Sequence, residues 1–267
     1  MKLSVSNIAW DAGHDDEMYG FLSENGFSGI EIAPSRIFPS LPYDDLVAAE
    51  RWAFLLRKNF GLEVSSMQSI WYGRNENIFG PPEERMRLVD YTKKAVLFAE
   101  AVGCGNMVFG CPRNRDTELP FEEACLAAED FFSEIGMFAG LHGTAISVEA
   151  NPAIYHTRFI NYTYQAAALV QKIAEKALKV NVDLGTIIQN GEGLACIGGI
   201  GEYIGHVHIS EPNLLPVERR KLHAELFELL RAIKYDGYVS LEMKDCGNVG
   251  RVKNIASYMQ KVLRGGK

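Results

Sequence analysis

Eight short apolar runs alternate along the chain with longer segments whose apolar residues recur at a helical period. The runs occupy residues 3–10, 28–35, 63–71, 106–112, 145–152, 179–186, 205–212 and 238–245. Each interval between them is long enough for a helix and two loops, which is the connection that joins neighbouring parallel strands. The sequence therefore predicts repeated βα units and a parallel sheet.

Helical patterning fills most of the intervals between these runs. Predicted helices span 16–25, 44–60, 82–102, 122–141, 164–176 and 216–233, whereas the glycine-rich stretch 191–205 predicts a short or irregular helix. Glycine follows the last periodic residue of the first four helices, as expected for C-terminal caps, at or near Gly26, Gly61, Gly103 and Gly143. The same alternation thus continues through the chain.

The length favours one closed barrel. The chain has 267 residues, and a single (β/α)₈ TIM barrel typically has about 250. An open, doubly wound sheet has the same alternation, but eight units and the lack of a G-x-G-x-x-G motif after the first run favour the barrel. No linker or low-complexity segment divides the sequence, so we predict one domain over 1–267, with the tail 264–267 as a frayed terminus.

The charge and composition of the chain limit the classes of molecule that it is expected to bind. A net charge of −7 disfavours nucleic-acid binding, which needs a basic surface. The five cysteines have no zinc-like or C-x-x-C spacing, so we predict reduced thiols. No signal sequence or membrane-length apolar stretch is present in the sequence. These features predict a cytoplasmic protein without a membrane or nucleic-acid partner that acts on a small polar molecule.

Four metal-binding residue types stand near the C-terminal ends of the last four runs. They are Glu149, Asp183, His208 and Glu242. In a parallel barrel these strand ends share one face, where the side chains can meet. One acidic residue at a strand end is more often a surface or cap residue, but four at equivalent positions favour a divalent-metal site. Three carboxylates and an imidazole suit Mn²⁺ or Mg²⁺ first, and Co²⁺ or Zn²⁺ are also compatible.

The histidine and the proton-transfer groups are then assigned by position. His206 and His208 are two residues apart and share one face of their strand, and His208 is favoured because it is nearer the C-terminal end, with His206 as the alternative. A metal would polarise a carbonyl and stabilise the enediolate left by proton loss. Glu149 and Glu242 come from opposite sides of the barrel, so they could act as base and acid on the two sides of that carbon.

At these residues the sequence resembles the xylose isomerase-like TIM-barrel superfamily, in its sugar (phosphate) isomerase/epimerase branch that includes the ketose 3-epimerases. The matching segments GIEIAPS, VEANP, VNVDLG, GHVHISEP and SLEMK follow the family's order and spacing across the chain. The resemblance implies that Glu149, Asp183, His208 and Glu242 are metal ligands, and that Glu149 and Glu242 move the proton. It also implies a sugar, sugar-acid or sugar-phosphate substrate, and homo-oligomers are common in the family.

The sequence departs from the ketose 3-epimerase pattern at three recognition positions. Thr186 stands where these enzymes have a histidine, Leu214 where they have an arginine and Tyr155 where they have a glutamate. We therefore expect retained metal chemistry with changed sugar recognition. Candidates for replacement substrate contacts lie near the predicted strand ends, at Gln68, Trp71, Arg113, Glu192, Glu211 and Lys244. Arg113 and Lys244 could pair with an anionic group, and Trp71 could stack on a sugar ring.

The predicted function is a metal-dependent aldose–ketose isomerase or ketose epimerase. A non-catalytic sugar-binding barrel is an alternative, because the recognition positions differ. A keto-inositol dehydratase or a hydroxypyruvate-type isomerase has the same barrel resemblance, and the sequence does not separate them. An apurinic-endonuclease-like phosphodiesterase is disfavoured, because it requires more histidine and aspartate ligands and a basic face than six histidines and an acidic chain provide.

Overall fold

A computed structural model describes residues 1–265, and within them eight parallel strands close into a barrel. Each strand pairs with its sequence neighbour, and the last pairs with the first. The strands are β1 (Lys2–Ser6), β2 (Gly29–Ile32), β3 (Glu63–Met67), β4 (Asn106–Phe109), β5 (Ala145–Glu149), β6 (Leu178–Asp183), β7 (Ile204–Ile209) and β8 (Tyr238–Leu241). The predicted (β/α)₈ barrel is confirmed, and the end of the 264–267 tail lies outside the described residues.

Helices follow the strands and surround the barrel. They are α1 (Asp15–Glu24), α2 (Pro34–Ile37), α3 (Leu46–Phe60), α4 (Pro82–Val102), α5 (Phe121–Leu141), α6 (Thr163–Ile173), α7 (Leu184–Asn190), α8 (Ala195–Gly198), α9 (Lys221–Ala232) and α10 (Val249–Leu263). Gly61 and Gly103 end α3 and α4 with positive φ angles of 68° and 69°, as their C-cap positions predict. Across residues 1–265, none of these helices is long and apolar enough to cross a membrane.

Three helical segments differ from the sequence prediction. The helix predicted over 216–233 begins only at Lys221, because Arg220 and the backbone N–H of Glu218 bond to Glu211 and hold the preceding segment as a loop. The irregular helix predicted between β6 and β7 is divided into short pieces, beginning with α7 directly after Asp183. The helix α10, which follows β8, was not predicted.

The apolar runs begin within one residue of the strands but extend beyond their C-terminal ends. The run at 63–71, for example, continues past β3, which ends at Met67. Its last residues, Ile70 and Trp71, are buried among the helices although they have left the sheet. Apolar runs therefore mark burial, and they mark a strand only where the backbone also pairs.

The barrel interior is lined by polar side chains that bond to one another. Asn106 donates to Ser66 at 2.9 Å and accepts a hydrogen bond from Ser147, and the Ser240 hydroxyl lies 2.8 Å from His206 Nε2. All five side chains are buried. Because side chains alternate across a strand, the residue two positions further along also faces inward.

This alternation carries polar residues to the C-terminal mouth of the barrel on four adjacent strands. The pairs are Ser147 and Glu149 on β5, Asn181 and Asp183 on β6, His206 and His208 on β7, and Ser240 and Glu242 on and after β8. One inward-facing row on each strand thus ends in a predicted metal ligand. The fold brings these four residues together without any long loop.

Gly205 on β7 lies where the barrel interior leaves no room for a side chain. A Cβ at that position would lie 2.8 Å from Lys179 Cβ and would overlap the Ser147 hydroxyl. We expect Gly205→Ala to lower the free energy of unfolding by about 1–3 kcal/mol through overpacking, measured by urea denaturation. Gly20→Ala is the matched control, because α1 has open space there and alanine is the better helix former by roughly 0.5–1 kcal/mol. Equal stability of the two variants would contradict this packing.

Candidate metal centre and active-site pocket

Glu149, Asp183, His208 and Glu242 converge at the C-terminal mouth of the barrel. Each offers one ligand atom, and these four atoms all lie within 4.8 Å of one another. His208 and Glu242 are buried, and the other two are half-buried. The structure thus brings together the four residues predicted as metal ligands.

His208 is held from behind by Glu31, a β2 residue that the sequence analysis did not identify as part of the site. His208 Nε2 lies 2.8 Å from Glu31 Oε2, and His208 Nδ1 lies 3.2 Å from Glu149 Oε1 and from Glu242 Oε2. Glu31 is fully buried. A carboxylate that accepts the proton of one imidazole nitrogen leaves the lone pair of the other nitrogen available to a metal. The structure therefore orients Nδ1 toward the three carboxylates.

His206, the alternative ligand, lies deeper in the barrel. Its Nε2 is 3.0 Å from Glu31 Oε2 and 2.8 Å from the Ser240 hydroxyl. Glu31, His206 and His208 also form a close group of metal-binding residue types, but all three are buried. A catalytic metal needs an open coordination position, so we assign the candidate site to the four residues at the mouth.

Two amides and a buried arginine fix the Glu149 carboxylate. Asn181 Nδ2 donates to Glu149 Oε1 at 2.9 Å, and Asn151 Nδ2 donates to Oε2 at 3.0 Å. Arg115, which is 0% exposed, donates to Asn151 Oδ1 and to the Glu149 carbonyl oxygen, both at 2.7 Å. Because Arg115 occupies the amide oxygen of Asn151, the NH₂ group of that amide is directed at Glu149.

Asp183 is fixed by the helix that begins next to it. The backbone N–H of Thr186 donates to Asp183 Oδ2 at 2.7 Å, and the Thr186 hydroxyl lies 2.9 Å from the same oxygen. Ser210 donates to Asp183 Oδ1. Thr186, one of the departures from the epimerase pattern, is itself buried and thus serves the orientation of Asp183.

The convergence of carboxylates perturbs their ionisation. Burial and the neighbouring Glu149 raise the pKa of Asp183 to about 6. Burial raises the pKa of Glu242 to about 7, with Glu149 and Glu31 adding to the effect and His208 opposing it. Burial disfavours the charged form of His208, but Glu242 and Glu31 outweigh it and raise its pKa well above the ordinary value. Three acidic groups thus meet with only one imidazole to balance them.

This donor set fits a divalent cation. Carboxylate oxygens and one imidazole nitrogen are the ligands that Mn²⁺, Mg²⁺, Co²⁺ or Zn²⁺ accept, and a cation would relieve the repulsion among the carboxylates. Cys111 is the cysteine nearest to this chemistry, since it lines the same cavity, but burial raises the pKa of its thiol to about 12. It therefore stays protonated, and a thiolate ligand or nucleophile is not available from it.

A cavity of about 210 Å³ opens above these residues, and we call it the metal-side cavity. Its lining includes Glu149, Asp183, Glu242, Gln68, Asn151, Tyr155 and Leu214. Three of its lining residues, Ser69, Cys111 and Leu214, have positive φ angles of 53°, 44° and 54°. Non-glycine residues in this region cluster at functional sites, because the surrounding structure must hold them there.

Comparison with known proteins identifies the family. The family described as "Xylose isomerase-like TIM barrel" matches residues 20–263. The chain belongs to this family. A Xenopus laevis protein named "Putative hydroxypyruvate isomerase" is 29% identical, in a match that covers 64% of this chain and 64% of that protein.

Solved structures of sugar epimerases have the same fold as this xylose isomerase-like barrel. The 3-keto-D-glucoside 4-epimerase YcjR of E. coli is 20% identical with a TM-score of 0.77, and the alignment covers 98% of this chain and 99% of that one. The D-psicose 3-epimerase of Clostridium cellulolyticum is 16% identical with a TM-score of 0.81 and covers 99% of both chains. The family resemblance drawn from the sequence is confirmed.

Of the six predicted substrate contacts, Gln68 lines the metal-side cavity of this xylose isomerase-like barrel. Trp71 does not, because it is 3% exposed, donates from Nε1 to the Thr92 hydroxyl at 2.9 Å and packs edge-on against Phe109. This corrects the prediction that Trp71 stacks on a sugar. A tryptophan just after an apolar run can face the cavity or the surrounding helices, and the sequence pattern is the same in both cases.

Two predicted acidic contacts are engaged elsewhere in this family member. Glu211 is buried and accepts hydrogen bonds from Arg220 Nε at 2.7 Å and Nη2 at 2.6 Å. Glu192 accepts from the backbone N–H of Thr163 at 3.0 Å, at the start of α6. Glu211 is therefore occupied within its loop, which corrects its prediction as a substrate contact. Glu192, which is half-buried, supports the start of α6 and lies outside the metal-side cavity.

The two predicted cationic contacts lie outside the cavity lining. Arg113 is exposed and donates to Asn75 Oδ1 at 3.2 Å, and Lys244 is exposed three residues after β8. Sequence reasoning missed Glu31, Asn151 and Asn181. Glu31 and Asn181 could have been found as polar residues inside apolar runs, at positions whose side chains face the barrel interior.

Removing the negative charge behind His208 tests the assignment of Glu31. We expect Glu31→Gln to raise the dissociation constant for Mn²⁺ by about 10- to 100-fold, because a polarising carboxylate partner of a ligand histidine is lost. Isothermal titration calorimetry measures this directly, without an assay of activity. Glu63→Gln, at an exposed glutamate of β3, is the control. Unchanged Mn²⁺ affinity in folded Glu31→Gln protein would show that Glu31 does not act on the site.

Proposed function

We propose that this chain is a divalent-metal-dependent sugar isomerase or epimerase that moves a proton on a carbon next to a carbonyl. The observation that carries the proposal is the convergence of Glu149, Asp183, His208 and Glu242 within 4.8 Å at the floor of the metal-side cavity. Membership of the xylose isomerase-like family supports it.

The four residues would hold Mn²⁺ or Mg²⁺ first, with Co²⁺ or Zn²⁺ also compatible. When bound, such an ion polarises the substrate carbonyl and lowers the cost of losing the neighbouring proton. Glu149 and Glu242, each 3.2 Å from His208 Nδ1, are the groups that take and return that proton. A positioned acid or base contributes roughly 10²- to 10⁴-fold to the rate.

The surroundings of the two glutamates suit different parts of this task. Glu149 receives a hydrogen bond at each carboxylate oxygen, from Asn181 and Asn151, so its orientation is fixed. Glu242 has His208 as its side-chain partner among the described residues and is otherwise buried. We assign Glu149 to proton transfer on one face of the reacting carbon, from a fixed orientation, and Glu242 to proton transfer on the other face.

The lining of the cavity bears on the substrate. Tyr155 and Leu214, two of the departures from the ketose 3-epimerase pattern, both line it. Its neutral polar groups include the amides of Gln68 and Asn151 and the hydroxyls of Ser69 and Tyr155, and its described lining contains no lysine or arginine. An uncharged carbonyl compound thus fits better than a sugar acid or a sugar phosphate, because no cationic side chain of the described lining would pair with its anion.

A hydroxypyruvate-type isomerase is the second candidate, because of the 29% identity to the Xenopus laevis protein. It uses the same proton-transfer chemistry on a carboxylate-bearing substrate. A keto-inositol dehydratase differs by the loss of water, and a non-catalytic sugar-binding barrel by the lack of turnover. An endonuclease-like phosphodiesterase with several metals is disfavoured, since among residues 1–265 the other close group of metal-binding residues is fully buried.

Proton exchange in D₂O tests the reaction. We expect the Mn²⁺-loaded protein to place deuterium next to the carbonyl of at least one member of a panel of free ketoses, aldoses and hydroxypyruvate. Glu149→Gln and Glu242→Gln should each lower that exchange by about 10²-fold or more. Glu192→Gln is the matched control, because Glu192 supports α6 and not the cavity. Mass spectrometry that finds no exchange across the panel would count against the proposal.

Metal content tests the site independently of any substrate. Elemental mass spectrometry of the purified protein should find near-stoichiometric Mn, Mg, Co or Zn, and the Glu149→Gln/Asp183→Asn double variant should lose it, because half of the ligand set is neutralised. Protein that holds no metal even after reloading would remove this mechanism and leave a metal-independent isomerase or a binding barrel.

A further inference from the structure

A second cavity opens beside the metal-side cavity at the mouth of the barrel, and we call it the β1–β2 cavity. Its lining follows the C-terminal ends of β1, β2, β3 and β8 and includes Trp10, Asp11, Arg36, Tyr72 and Asp245. Ser69 lines both cavities. The two cavities are therefore neighbours on the face where a barrel of this kind binds its ligand.

The sizes of the two cavities suggest that they bind different parts of one ligand. The metal-side cavity has about 210 Å³ and the β1–β2 cavity about 430 Å³. Ligand pockets usually span about 300–1,000 Å³. The metal-side cavity thus has room for a short reacting unit, whereas the larger volume beside it is suited to the remainder of a longer molecule.

The charge of the β1–β2 cavity selects against anions. Arg36 is its cationic side chain, and its guanidinium is engaged by Asp15 at 2.7 Å and by the Trp10 carbonyl oxygen at 3.1 Å. Asp11 and Asp245 each accept one backbone N–H of their own turn through Oδ1, at 2.8 Å. Their remaining carboxylate oxygens can accept hydrogen bonds from a ligand, so hydroxyl groups are favoured and phosphate or carboxylate groups are repelled.

Tyr72 gives the cavity an aromatic face. Its side chain is 74% exposed, and its backbone N–H donates to the Ser69 carbonyl oxygen at 3.0 Å. That hydrogen bond closes a turn at the wall between the two cavities. An exposed tyrosine ring offers an apolar surface and a polar hydroxyl, a combination that suits the C–H face and the rim hydroxyls of a sugar ring.

We propose that the β1–β2 cavity binds an uncharged, hydroxyl-rich unit, such as a second sugar ring, of a substrate whose carbonyl unit occupies the metal-side cavity. The assignment of the carbonyl unit rests on the proposed function. The residues to which we assign binding of the second ring, Tyr72, Asp11 and Asp245, are not among the proposed metal ligands. The natural substrate class is then a neutral keto-glycoside or oligosaccharide derivative.

Saturation-transfer NMR with Mg²⁺-loaded protein tests this with defined probes: cellobiose, maltose, glucose and glucose 6-phosphate. At least one disaccharide should bind more tightly than glucose. Tyr72→Ala should weaken that disaccharide by roughly 2- to 10-fold and leave glucose less affected. The Asp11→Asn/Asp245→Asn double variant should tighten glucose 6-phosphate relative to the unaltered protein, because two like charges are removed.

Phe54→Ala is the matched control, since Phe54 on α3 is also an exposed aromatic, at 58%, but lies outside both cavities. Disaccharide affinity that is unchanged in Tyr72→Ala, or no better than glucose affinity in the unaltered protein, would overturn the proposal.

The Glu149→Gln/Asp183→Asn variant distinguishes the proposed reaction from the proposed sugar site. It should lose proton exchange and retain the Tyr72-dependent disaccharide binding. If the unaltered protein shows that binding without exchange, the proposed reaction fails and the sugar site stands.

Discussion

The hydrogen bond between Glu31 and His208 is the contact on which the rest of the site depends. It joins β2 to β7 across the interior of the barrel and holds a fully buried carboxylate against an imidazole. A buried charge that loses its partner costs several kcal/mol. A strand arrangement that separated Glu31 from His208 would therefore be destabilised. Because Glu31 occupies one nitrogen of His208, the other faces Glu149 and Glu242, and the reactive end of the barrel is ordered from within.

The mouth of the barrel combines two kinds of polar surface. On the β5–β8 side the carboxylates are at least half-buried beside amides, hydroxyls and the Glu31–His208 pair. Burial raises the pKa values of Asp183 and Glu242, which is typical of groups that do chemistry. On the β8–β3 side Asp11 and Asp245 are exposed, with oxygens left for a ligand. The first surface suits a cation and a reacting carbonyl, and the second suits hydroxyl groups. A neutral sugar with a reactive end matches both.

Much of the candidate site could be predicted because of the two-residue period of a strand. The segments S-V-E, N-V-D, H-V-H and S-L-E place a polar residue and a metal-binding type at the same parity on four successive runs. Supporting residues were harder to identify, because their role depends on partners distant in sequence. Arg115 reaches the Glu149 side-chain carboxylate through Asn151, and Glu31 reaches His208 across 177 positions. Trp71 and Glu211 failed as substrate contacts for the same reason, since their partners occupy them.

By itself the sequence determined the repeated βα units, the closed barrel and the four ligand-type residues, because apolar period and strand parity are local properties that each run carries on its own. Only the tertiary structure decided which histidine meets the carboxylates, which polar residues are already bonded to the protein, and that the mouth divides into two cavities. These properties arise where side chains from different strands and loops compete for the same hydrogen-bond partners and the same space. That competition is resolved by packing in three dimensions, which no single stretch of sequence records.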